Sequence, residues 1–423
     1  MKVEGKYVGI LGYARTGRAL KRLIERVGGK AFVSDLTSPE ADEWGDNTYR
    51  ILMTDLLSPS PGIPPHNRIL ARAETSEIPI VSELEIGWYY LKGKVIGITG
   101  TNGKSTVAHF THNLLPGSFI GGNWGVPTSD LAFKEGTFVL EVSSFQLHYV
   151  RSFRSDVAVI TNVSPDHLDW HGSFEAYLSD KLRILENQTV RDVAVLNRDD
   201  PHYRAFRERS AGEVITVSLR SANAHYYSDG RWAFTPYGRV EVPPHLRSVP
   251  ILYDLLMAMA SSIAAGGETD RVFGAVPSLS LLPHRVTFVG EVSGVKFYDD
   301  SKGTNPGATE MALRSFQGRV VLIMGGDDKG LDLSVLRGTV REKVAVVVAV
   351  GRNRENIAST FGNVVPVLVA EDYGTAVRMA YGEAKRLGVP VLLSPACASF
   401  DMFKNYRHRS EVFRREVMKL KGE

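Results

Sequence analysis

Short apolar runs rich in β-branched residues alternate with helix-like stretches along most of this 423-residue chain. Strands that are buried on both faces read as continuous apolar runs, and parallel neighbours need a crossover connection, usually a helix. The alternation therefore predicts an α/β fold with mainly parallel sheets. Because a single hydrophobic core rarely grows beyond about 250–300 residues, we expect two or three domains.

The first part of the chain, residues 1–92, is similar to the opening of a dinucleotide-binding unit. KYVGILGYA predicts a buried strand, ARTGRALKRLIERVG a helix, and KAFVSD a second strand that ends in Asp35. The glycines do not form the G-x-G-x-x-G pattern, so NAD is not favoured. YRILM predicts another strand, and the turn-rich loop SPSPGIPP (58–65) after it is a candidate ligand loop.

The middle part, 93–283, and the last part, 284–423, show the same alternation. The middle part opens with the strand-like KVIGITG, contains a hairpin with its turn at Asp229-Gly230, and closes with a helix over 251–267. The last part starts near LLPHR (281–285) and alternates strands and helices to a final charged helix. We therefore expect three α/β domains: a Rossmann-like domain, a central phosphate-loop domain and a second Rossmann-like domain.

GITGTNGKST, residues 97–106, joins a predicted strand to a predicted helix. In a phosphate loop, glycines let backbone N–H groups face the phosphates, a lysine neutralises charge and a serine or threonine binds Mg²⁺. Ile98 stands where the strict pattern has glycine, so the motif is a variant. A simple glycine turn is the alternative, and the lysine-serine pair at the helix start favours the phosphate loop. The predicted ATP contacts are Gly100, Thr101, Asn102, Gly103, Lys104, Ser105 and Thr106.

Charged residues follow several other predicted strands. Glu141 ends the apolar strand TFVLE, where a bound cation is the obvious partner for a carboxylate. TNVSPDHLDWHG (161–172) follows another strand, and its oxygen-rich composition suits Mg²⁺ better than zinc. DDSKGTNPGATE (299–310) and GGDDKGLD (325–332) could be solvated loops, or they could hold a charged ligand.

The composition excludes several other classes of protein. A net charge of +3 argues against nucleic-acid or membrane binding, and no apolar run approaches the roughly 20 residues of a membrane helix. The single cysteine, Cys397, cannot form a disulfide within the chain, which suits a reducing compartment. We expect a cytoplasmic monomer without membrane insertion.

The motifs, taken in order, resemble the Mur ligases, which are ATP-dependent enzymes of peptidoglycan synthesis. The resemblance covers nearly the whole chain through GTNGKST, GNWGVP, EVSSFQL, NVSPDHLDWHG, LPHR, DDSKGTNP, GGDDKG and SPACASFDMF. SPGI near residue 60 and SPACASFD near residue 394 point to the member that uses D-glutamate. The resemblance implies an acyl phosphate on UDP-N-acetylmuramoyl-L-alanine, attack by the amine of D-glutamate, and release of ADP and phosphate.

The resemblance also implies roles for individual residues. Lys104, Glu141, His167 and Lys181 would be catalytic, and two Mg²⁺ ions would be bound by Ser105, Glu141, His167 and a carbamoylated Lys181. Read alone, Lys181 is a solvated helix lysine. The general base stays open among His167, phosphate and water, and we expect His167 to act mainly as a metal ligand. Further ATP contacts would come from Asp254, Arg285, Asp300 and Lys302. The UDP-substrate would contact Ala14, Arg15, Thr16, Asp35, Ser60, Gly62 and Asn123. The D-glutamate site would contain Thr304, Lys329, Ser399, Phe400 and Tyr406.

The sequence departs from the family at the helix that closes the central domain. The family has H-N-x-x-N there, and this chain has Tyr253, Asp254 and Met257 at the matching positions. Either Asp254 accepts a hydrogen bond from the adenine amino group, or base specificity is relaxed. The implied domains are 1–92 for the UDP-substrate, 93–283 for ATP and 284–423 for the amino acid.

Three alternative functions remain. A folylpolyglutamate-synthase-like ligase shares the last two domains, but it lacks a preceding nucleotide-sugar domain. A P-loop switch or transport ATPase has no need of the lysine-bearing loops at 299–310 and 325–332. A non-catalytic UDP-sugar-binding protein does not need Lys104, Ser105 and Glu141 together.

Overall fold

A computed structural model describes residues 1–46, 48–283, 286–327 and 330–421. These residues form two compact units. The first unit comprises Met1–Val163, Trp170–Arg247 and Ile251–Leu279. The second comprises Ser164–Asp169, Ser248–Pro250 and the described residues from Ser280 onward. The first unit holds an amino-terminal sheet and a central sheet, and the second unit holds a carboxy-terminal sheet.

The amino-terminal sheet is parallel throughout. Its strands are β1 (Tyr7–Leu11), β2 (Lys30–Asp35), β3 (Glu43–Trp44) and β4 (Leu56–Pro59). They lie in the order β3-β2-β1-β4. Its helices are α1 (Arg15–Arg26), α2 (Arg68–Thr75) and α3 (Glu83–Tyr89). Helix α1 forms where Leu20, Leu23 and Ile24 recur at helical spacing, and all three are buried.

The predicted strand YRILM is wrong, because Tyr49–Met53 is a 3₁₀ helix. The side-chain oxygen of Thr48 accepts a hydrogen bond from the N–H of Arg50 and so begins the turn. Of these five residues only Ile51 is buried. All four residues of β4, a few positions later, are buried, and β4 pairs with β1.

The central sheet contains β5 (Val95–Thr99). In the order of strands across this sheet, the strands from β6 to β11 pair parallel with their neighbours. Its other strands are β6 (Phe119–Gly122), β7 (Phe138–Glu141), β8 (Val157–Ile160), β9 (Val193–Asn197), β10 (Glu213–Ser218), β11 (Tyr226–Ser228), β12 (Trp232–Thr235) and β13 (Gly238–Glu241). The order is β13-β12-β11-β10-β9-β8-β5-β7-β6. Its α-helices are α4 (Lys104–Leu114), α5 (Ser144–His148), α6 (Leu168–His171), α7 (Phe174–Leu182), α8 (Tyr203–Arg209), α9 (Val249–Ala264) and α10 (Thr269–Ala275). Short 3₁₀ helices occur at Thr128–Leu131, Arg183–Leu185, Pro244–Leu246 and Val276–Ser278.

Successive residues of the central strands pack into different cores. Ile96 and Ile98 of β5 belong to one apolar cluster, whereas Val95 belongs to another that contains Leu140. Both faces of the sheet are therefore covered, as expected for parallel strands. The predicted hairpin at Asp229-Gly230 is confirmed, because β11 and β12 pair antiparallel across it.

The carboxy-terminal sheet is parallel except at one edge. Its strands are β14 (Thr287–Val292), β15 (Val295–Asp299), β16 (Val320–Met324), β17 (Val344–Ala349), β18 (Val367–Val369) and β19 (Val391–Leu393). They lie in the order β14-β15-β19-β16-β17-β18, and within the described part of this sheet only the β14–β15 pair is antiparallel. The helices are α11 (Pro306–Arg314), α12 (Arg337–Lys343), α13 (Arg354–Phe361), α14 (Tyr373–Leu387) and α15 (Tyr406–Lys419), with a 3₁₀ helix at Leu333–Leu336.

The predicted α/β class with mainly parallel sheets is confirmed. Each sheet lies within one of the ranges 1–92, 93–283 and 284–423, whose boundaries stay a prediction. In parallel sheets the loops after the carboxyl ends of the strands gather at one edge, so these loops are the candidate ligand positions. Among the described residues, no helix combines the length and apolar character needed to cross a membrane.

Candidate active site

The loop between β5 and α4 has the backbone of a phosphate cradle. Gly100 has a φ of 141° and Gly103 a φ of 88°, values that favour glycine. A Cβ on Gly100 would collide with the side chain of Thr161, and one on Gly103 would collide with the Asp254 carboxylate. Gly103 is the N-cap of α4, so the amino end of that helix, with its partial positive charge, begins at Lys104.

The segment after β8 holds this loop in place. The Asn162 carbonyl accepts from the N–H of Thr101 at 2.7 Å, and the Asn162 side-chain oxygen accepts from the N–H of Asn102 at 3.1 Å. Thr161 Oγ1 donates to the Asn102 carbonyl at 2.6 Å. Lys104 folds back over the loop, and its Nζ donates to the Thr101 carbonyl at 2.9 Å. The cradle is therefore fixed by neighbouring protein groups.

Glu141 lies beside the start of α4, because β7 pairs directly with β5. Ser105 Oγ donates to Glu141 Oε2 at 2.5 Å. Asn123 Nδ2 donates to Glu141 Oε1 at 2.7 Å, since Asn123 follows β6, the other neighbour of β7. Ser105 and Glu141 are each 3% exposed. Three predicted residues from separate parts of the sequence thus form one hydrogen-bonded cluster, in which Ser105 and Glu141 are buried and Asn123 is exposed.

The Ser105–Glu141 pair fits the predicted Mg²⁺. A hydroxyl and a carboxylate are hard oxygen donors, and Mg²⁺ is usually held by one or two carboxylates together with substrate phosphates and water. In the part of the chain that the structure describes, no group of three or more His, Cys, Asp or Glu side chains is placed to hold a metal. The fit therefore rests on the paired oxygen donors beside the cradle.

Lys181 is buried at the cradle and is not a solvated helix lysine. Its side chain lies 1% exposed on α7, and its Nζ donates to the Gly100 carbonyl at 2.6 Å. The ammonium also lies 4.5 Å from the centre of the Tyr177 ring, and the Tyr177 hydroxyl is 3.0 Å from Thr101 Oγ1. Lys181 and Lys104 therefore contact the same loop of the cradle.

A cavity of about 330 Å³ lies at the carboxyl ends of β1, β2 and β4. It gathers four of the predicted UDP-substrate residues, Ala14, Asp35, Ser60 and Gly62. Asp35 accepts from the N–H groups of Tyr13 at 2.6 Å and of Thr37 and Ser38 at 2.7 Å. Burial favours a raised pKa for Asp35, but these hydrogen bonds outweigh it and lower the pKa.

Arg15 and Thr16 begin α1 and are not among the residues that line this cavity. Arg15 reaches away from it, to the turn after β6. Its Nη1 donates to the Gly125 carbonyl at 2.7 Å and its Nη2 to the Asn123 carbonyl at 3.2 Å. The guanidinium thereby contacts the residue that holds Glu141.

In the second unit a cavity of about 680 Å³ gathers most of the predicted amino-acid site. Predicted residues that line it are Thr304, Ser399, Phe400, Tyr406 and His167. The remaining lining residues, not predicted for this site, are Leu168, Asp169, Asp327, Gly330, Ala398 and Asn405. The cavity is therefore formed by the loops after β15, β16 and β19, the start of α15 and the segment around His167.

His167 adopts a φ of 54°, which is uncommon outside glycine and is often found at functional positions. Its Nε2 lies 3.6 Å from Asp166 Oδ2, which also accepts from Asn305 Nδ2 at 2.9 Å. Asp300, in the loop after β15, is buried and accepts from Ser394 Oγ at 2.7 Å. Lys302, half-buried, lies in the same loop as Asp300. The predicted residues Arg285 and Lys329 lie outside the described residues.

Comparison with known proteins decides the family. Residues 98–261 match the Mur ligase middle domain, and residues 284–397 match the family described as Mur ligase, glutamate ligase domain. A protein of Geotalea uraniireducens named UDP-N-acetylmuramoylalanine–D-glutamate ligase is 35% identical over 99% of both chains. One of the same name from Chlorobium limicola is 36% identical over 99% of both chains.

The chain belongs to the Mur ligase family.

Solved structures agree with this Mur ligase at the level of the fold. MurF of Acinetobacter baumannii superimposes with a TM-score of 0.65 at 16% identity, covering 99% of this chain and 91% of that one. MurF of Thermotoga maritima, solved in complex with ADP, gives 0.63 at 18% identity, covering 99% and 96%. MurC of Thermotoga maritima gives 0.62 at 16% identity, covering 98% and 99%.

The Mur ligase helix α9 shows what replaces the H-N-x-x-N motif. Tyr253 donates to Asp199 Oδ2 at 2.6 Å, and Asp199 also accepts from Ser218 at 2.7 Å. Burial, together with this hydrogen bond to a carboxylate, raises the pKa of Tyr253. Asp254 is 4% exposed and lies against Gly103. Tyr253 thus anchors the helix, and Asp254 lies at the cradle, while its contact with the adenine stays a prediction.

One cluster of ionisable groups was missed by the sequence analysis. Asp180 accepts from His148 Nδ1 and from His171 Nδ1, both at 2.9 Å to Oδ2, next to Lys181 in the chain. Burial of Asp180 favours a raised pKa, but the hydrogen bonds from both histidines outweigh it and lower the pKa. No spacing in the sequence signals this cluster, because His148 and Asp180 are 32 residues apart.

Proposed function

We propose that this Mur ligase joins D-glutamate to UDP-N-acetylmuramoyl-L-alanine at the expense of ATP, in peptidoglycan precursor synthesis. The observation that carries the proposal is the buried Ser105–Glu141 pair, hydrogen-bonded to Asn123, beside a glycine-built phosphate cradle. The choice of D-glutamate is supported by the relatives named UDP-N-acetylmuramoylalanine–D-glutamate ligase, which are similar over 99% of this chain.

The reaction proceeds in two balanced steps. A carboxylate oxygen of the alanyl group attacks the γ-phosphorus of ATP, ADP leaves, and an acyl phosphate forms. The amine nitrogen of D-glutamate then attacks the acyl carbon. The bond from that carbon to the bridging oxygen breaks, phosphate leaves with this oxygen, and the nitrogen loses a proton. The first step brings two anions together, so cationic groups at the cradle must offset their repulsion.

The residues of the cradle supply that charge. The amino end of α4 and Lys104 bind the β- and γ-phosphates, together with the loop from Gly100 to Thr106. Ser105 and Glu141 would hold Mg²⁺, which would supply positive charge that offsets the charge of the phosphates. Asn123 orients Glu141 and reaches the acceptor end of the UDP-substrate. Asp254 contacts the adenine moiety.

Lys181 is the position for carbamoylation. A carbamate on its Nζ would turn the buried cation into an anionic metal ligand, and His167 of the second unit is the ligand proposed for the second Mg²⁺.

The remaining ligands have their own cavities. The cavity lined by Ala14, Asp35, Ser60 and Gly62 binds the uridine diphosphate group. The 680 Å³ cavity of the second unit binds D-glutamate through Thr304, Ser399, Phe400 and Tyr406, with Lys329 as a further cationic partner. From the carboxy-terminal domain, Arg285, Asp300 and Lys302 contribute further contacts to ATP. These roles correspond to domains 1–92, 93–283 and 284–423 of a cytoplasmic monomer.

The proposed function is tested by phosphate release from Mg·ATP in the presence of UDP-N-acetylmuramoyl-L-alanine, with and without D-glutamate. We expect release that needs both substrates, together with a new amide product identified by mass spectrometry. Release that needs neither substrate would indicate an ATPase switch. L-Glutamate with a folate acceptor is the control for the folylpolyglutamate-synthase-like alternative, and product formation there would overturn the proposed substrates.

A further inference from the structure

A hydrogen-bonded network joins three helices that follow strands β7 and β8 of the central sheet. His148 ends α5, His171 ends α6, and both donate from Nδ1 to Asp180 of α7. Since a carboxylate only accepts, both Nδ1 atoms carry hydrogen. Ser144, at the start of α5, forms a hydrogen bond through its Oγ with the Nε2 of His171, at 3.0 Å.

Ser144, His171 and Asp180 have the connectivity of a hydrolase triad, but they are not placed to act as one. Ser144 is 3% exposed, and the His171 side chain is fully buried. The His171 ring is stacked on Phe145, with 5.5 Å between the ring centres and 17° between the planes. A nucleophile needs room for an acyl substrate, and aromatic packing fills that room here.

The network instead controls the orientation of α7. Consecutive helical residues point about 100° apart, so a clamp on Asp180 fixes the direction of Lys181. Lys181 must reach the Gly100 carbonyl, at 2.6 Å, from a helix of nine residues. The same helix places Tyr177 between the network and the cradle, because the Tyr177 ring lies 5.1 Å from His171 and beneath the Lys181 ammonium.

We infer that His171 and Asp180 are positioning residues that hold Lys181 at the phosphate cradle, with His148 and Ser144 completing the clamp. The inference rests on the proposed function only in giving Lys181 a role in the ligase reaction. The placement of Lys181 can be tested without that reaction. Neither His171 nor Asp180 contacts a proposed substrate position, so both act through Lys181.

The direct test is acetylation of Lys181 by sulfo-N-hydroxysuccinimide acetate, followed by mass spectrometry of the full chain after digestion. The reaction is run in bicarbonate-free buffer without nucleotide, so that neither a carbamate nor ATP protects the lysine. We expect slow labelling in the wild type and about tenfold faster labelling in Asp180→Ala and His171→Phe, because loss of the clamp allows local opening. His171→Phe keeps the aromatic packing and removes both hydrogen bonds of the ring.

Asp192→Asn is the matched control. Asp192 is also a buried carboxylate of the first unit, and it accepts from Arg154 and Thr189. It lies just before β9, at the amino end of that strand, whereas the cradle follows the carboxyl end of β5. We expect this variant to label at the wild-type rate. Equal labelling of Asp180→Ala, His171→Phe and Asp192→Asn would overturn the inference. If Asp180→Ala fails to fold by circular dichroism, Asp180→Asn and His171→Phe carry the test.

Kinetics give the second readout. We expect kcat to fall about 10- to 100-fold in His171→Phe and Asp180→Asn, with KM for ATP changed less than about threefold, because misplacing a reacting group mainly affects the transition state. Faster labelling with unchanged kcat would show that the clamp holds Lys181 but that the reaction does not need this lysine. That result would support the positioning inference and contradict the proposed role of Lys181 in the reaction. Unchanged labelling with lower kcat would contradict the clamp.

Discussion

The phosphate cradle of the first unit and the 680 Å³ cavity that we propose for the amino acid in the second unit (the amino-acid cavity) are both built from loops after parallel strands, yet they differ in exposure. Glu141 is 3% exposed and Lys181 1%, and both are hydrogen-bonded to neighbouring protein groups. In the amino-acid cavity, Phe400 is 72% exposed and the His167 side chain 36%. Buried polar groups need partners, so the cradle is ordered by the protein itself. The cavity presents surface that is in contact with water until a ligand covers it.

The difference indicates how each region tolerates substitution. A change in the cradle leaves buried partners unsatisfied and disturbs charge that acts in a low-dielectric setting. A change at an exposed cavity residue removes contact area for the ligand and little else. Cradle variants should therefore lower kcat, and cavity variants should raise KM for the amino acid.

Glu141→Gln should have the largest effect. The amide keeps the shape of the side chain and one acceptor, but it removes the negative charge offered to Mg²⁺. We expect kcat for phosphate release to fall about 100- to 1000-fold, a loss typical of removing one preorganised electrostatic group. The melting temperature should stay within a few degrees of the wild type. A kcat near the wild-type value at saturating Mg²⁺ would contradict the role of Glu141.

Glu83→Gln separates burial from function, because Glu83 is as buried as Glu141 and lies outside the cradle. Burial raises the pKa of Glu83 from 4.5 to about 7, although hydrogen bonds from Ser129 act in the opposite direction. The folded protein therefore holds a proton that the unfolded chain releases, and stability should decline as the pH rises from about 4.5 to about 7. By about pH 8 the loss should reach up to about 3 kcal/mol.

Thermal unfolding between pH 4.5 and pH 8 checks this prediction. Glu83→Gln should remove the decline and be more stable than the wild type at pH 8, with kcat nearly unchanged. A parallel pH dependence of the variant and the wild type would contradict the assignment to Glu83.

Phe400→Ala should have a smaller effect, confined to the amino acid. Removing an exposed ring from the cavity should raise KM for D-glutamate about tenfold and leave the free energy of unfolding within about 0.5 kcal/mol. Phe288→Ala is the control, since Phe288 is also exposed in the second unit and does not line the cavity. An unchanged KM in Phe400→Ala would place the amino acid elsewhere.

Arg15→Ala should have the smallest effect. The sequence predicts a contact with the UDP-substrate, whereas the structure shows hydrogen bonds to the Asn123 and Gly125 carbonyls. If the turn is its target, kcat should fall about two- to tenfold with KM for the UDP-substrate unchanged, the size expected for one or two hydrogen bonds. Arg22→Ala, which removes the exposed ion pair to Asp130, is the control. A raised KM with unchanged kcat would favour the substrate contact.

Local patterns in the sequence determined the α/β class, most of the strands and the position of the phosphate loop. These features depend on residues close in the chain: β-branched runs, helical spacing of apolar residues, and glycines at positive φ such as Gly100 and Gly103. YRILM is the exception, because a short apolar run does not distinguish a strand from a 3₁₀ turn capped by Thr48.

Only the tertiary structure decided which distant residues meet. Strand order brought Asn123 and Ser105 to Glu141, because β7 lies between β5 and β6. Helix packing buried Lys181, which the sequence taken alone places in solvent, and built the His148–Asp180–His171 clamp around its neighbour. Such contacts depend on free energies of burial and hydrogen bonding summed over the whole unit, and no local spacing in the chain encodes them.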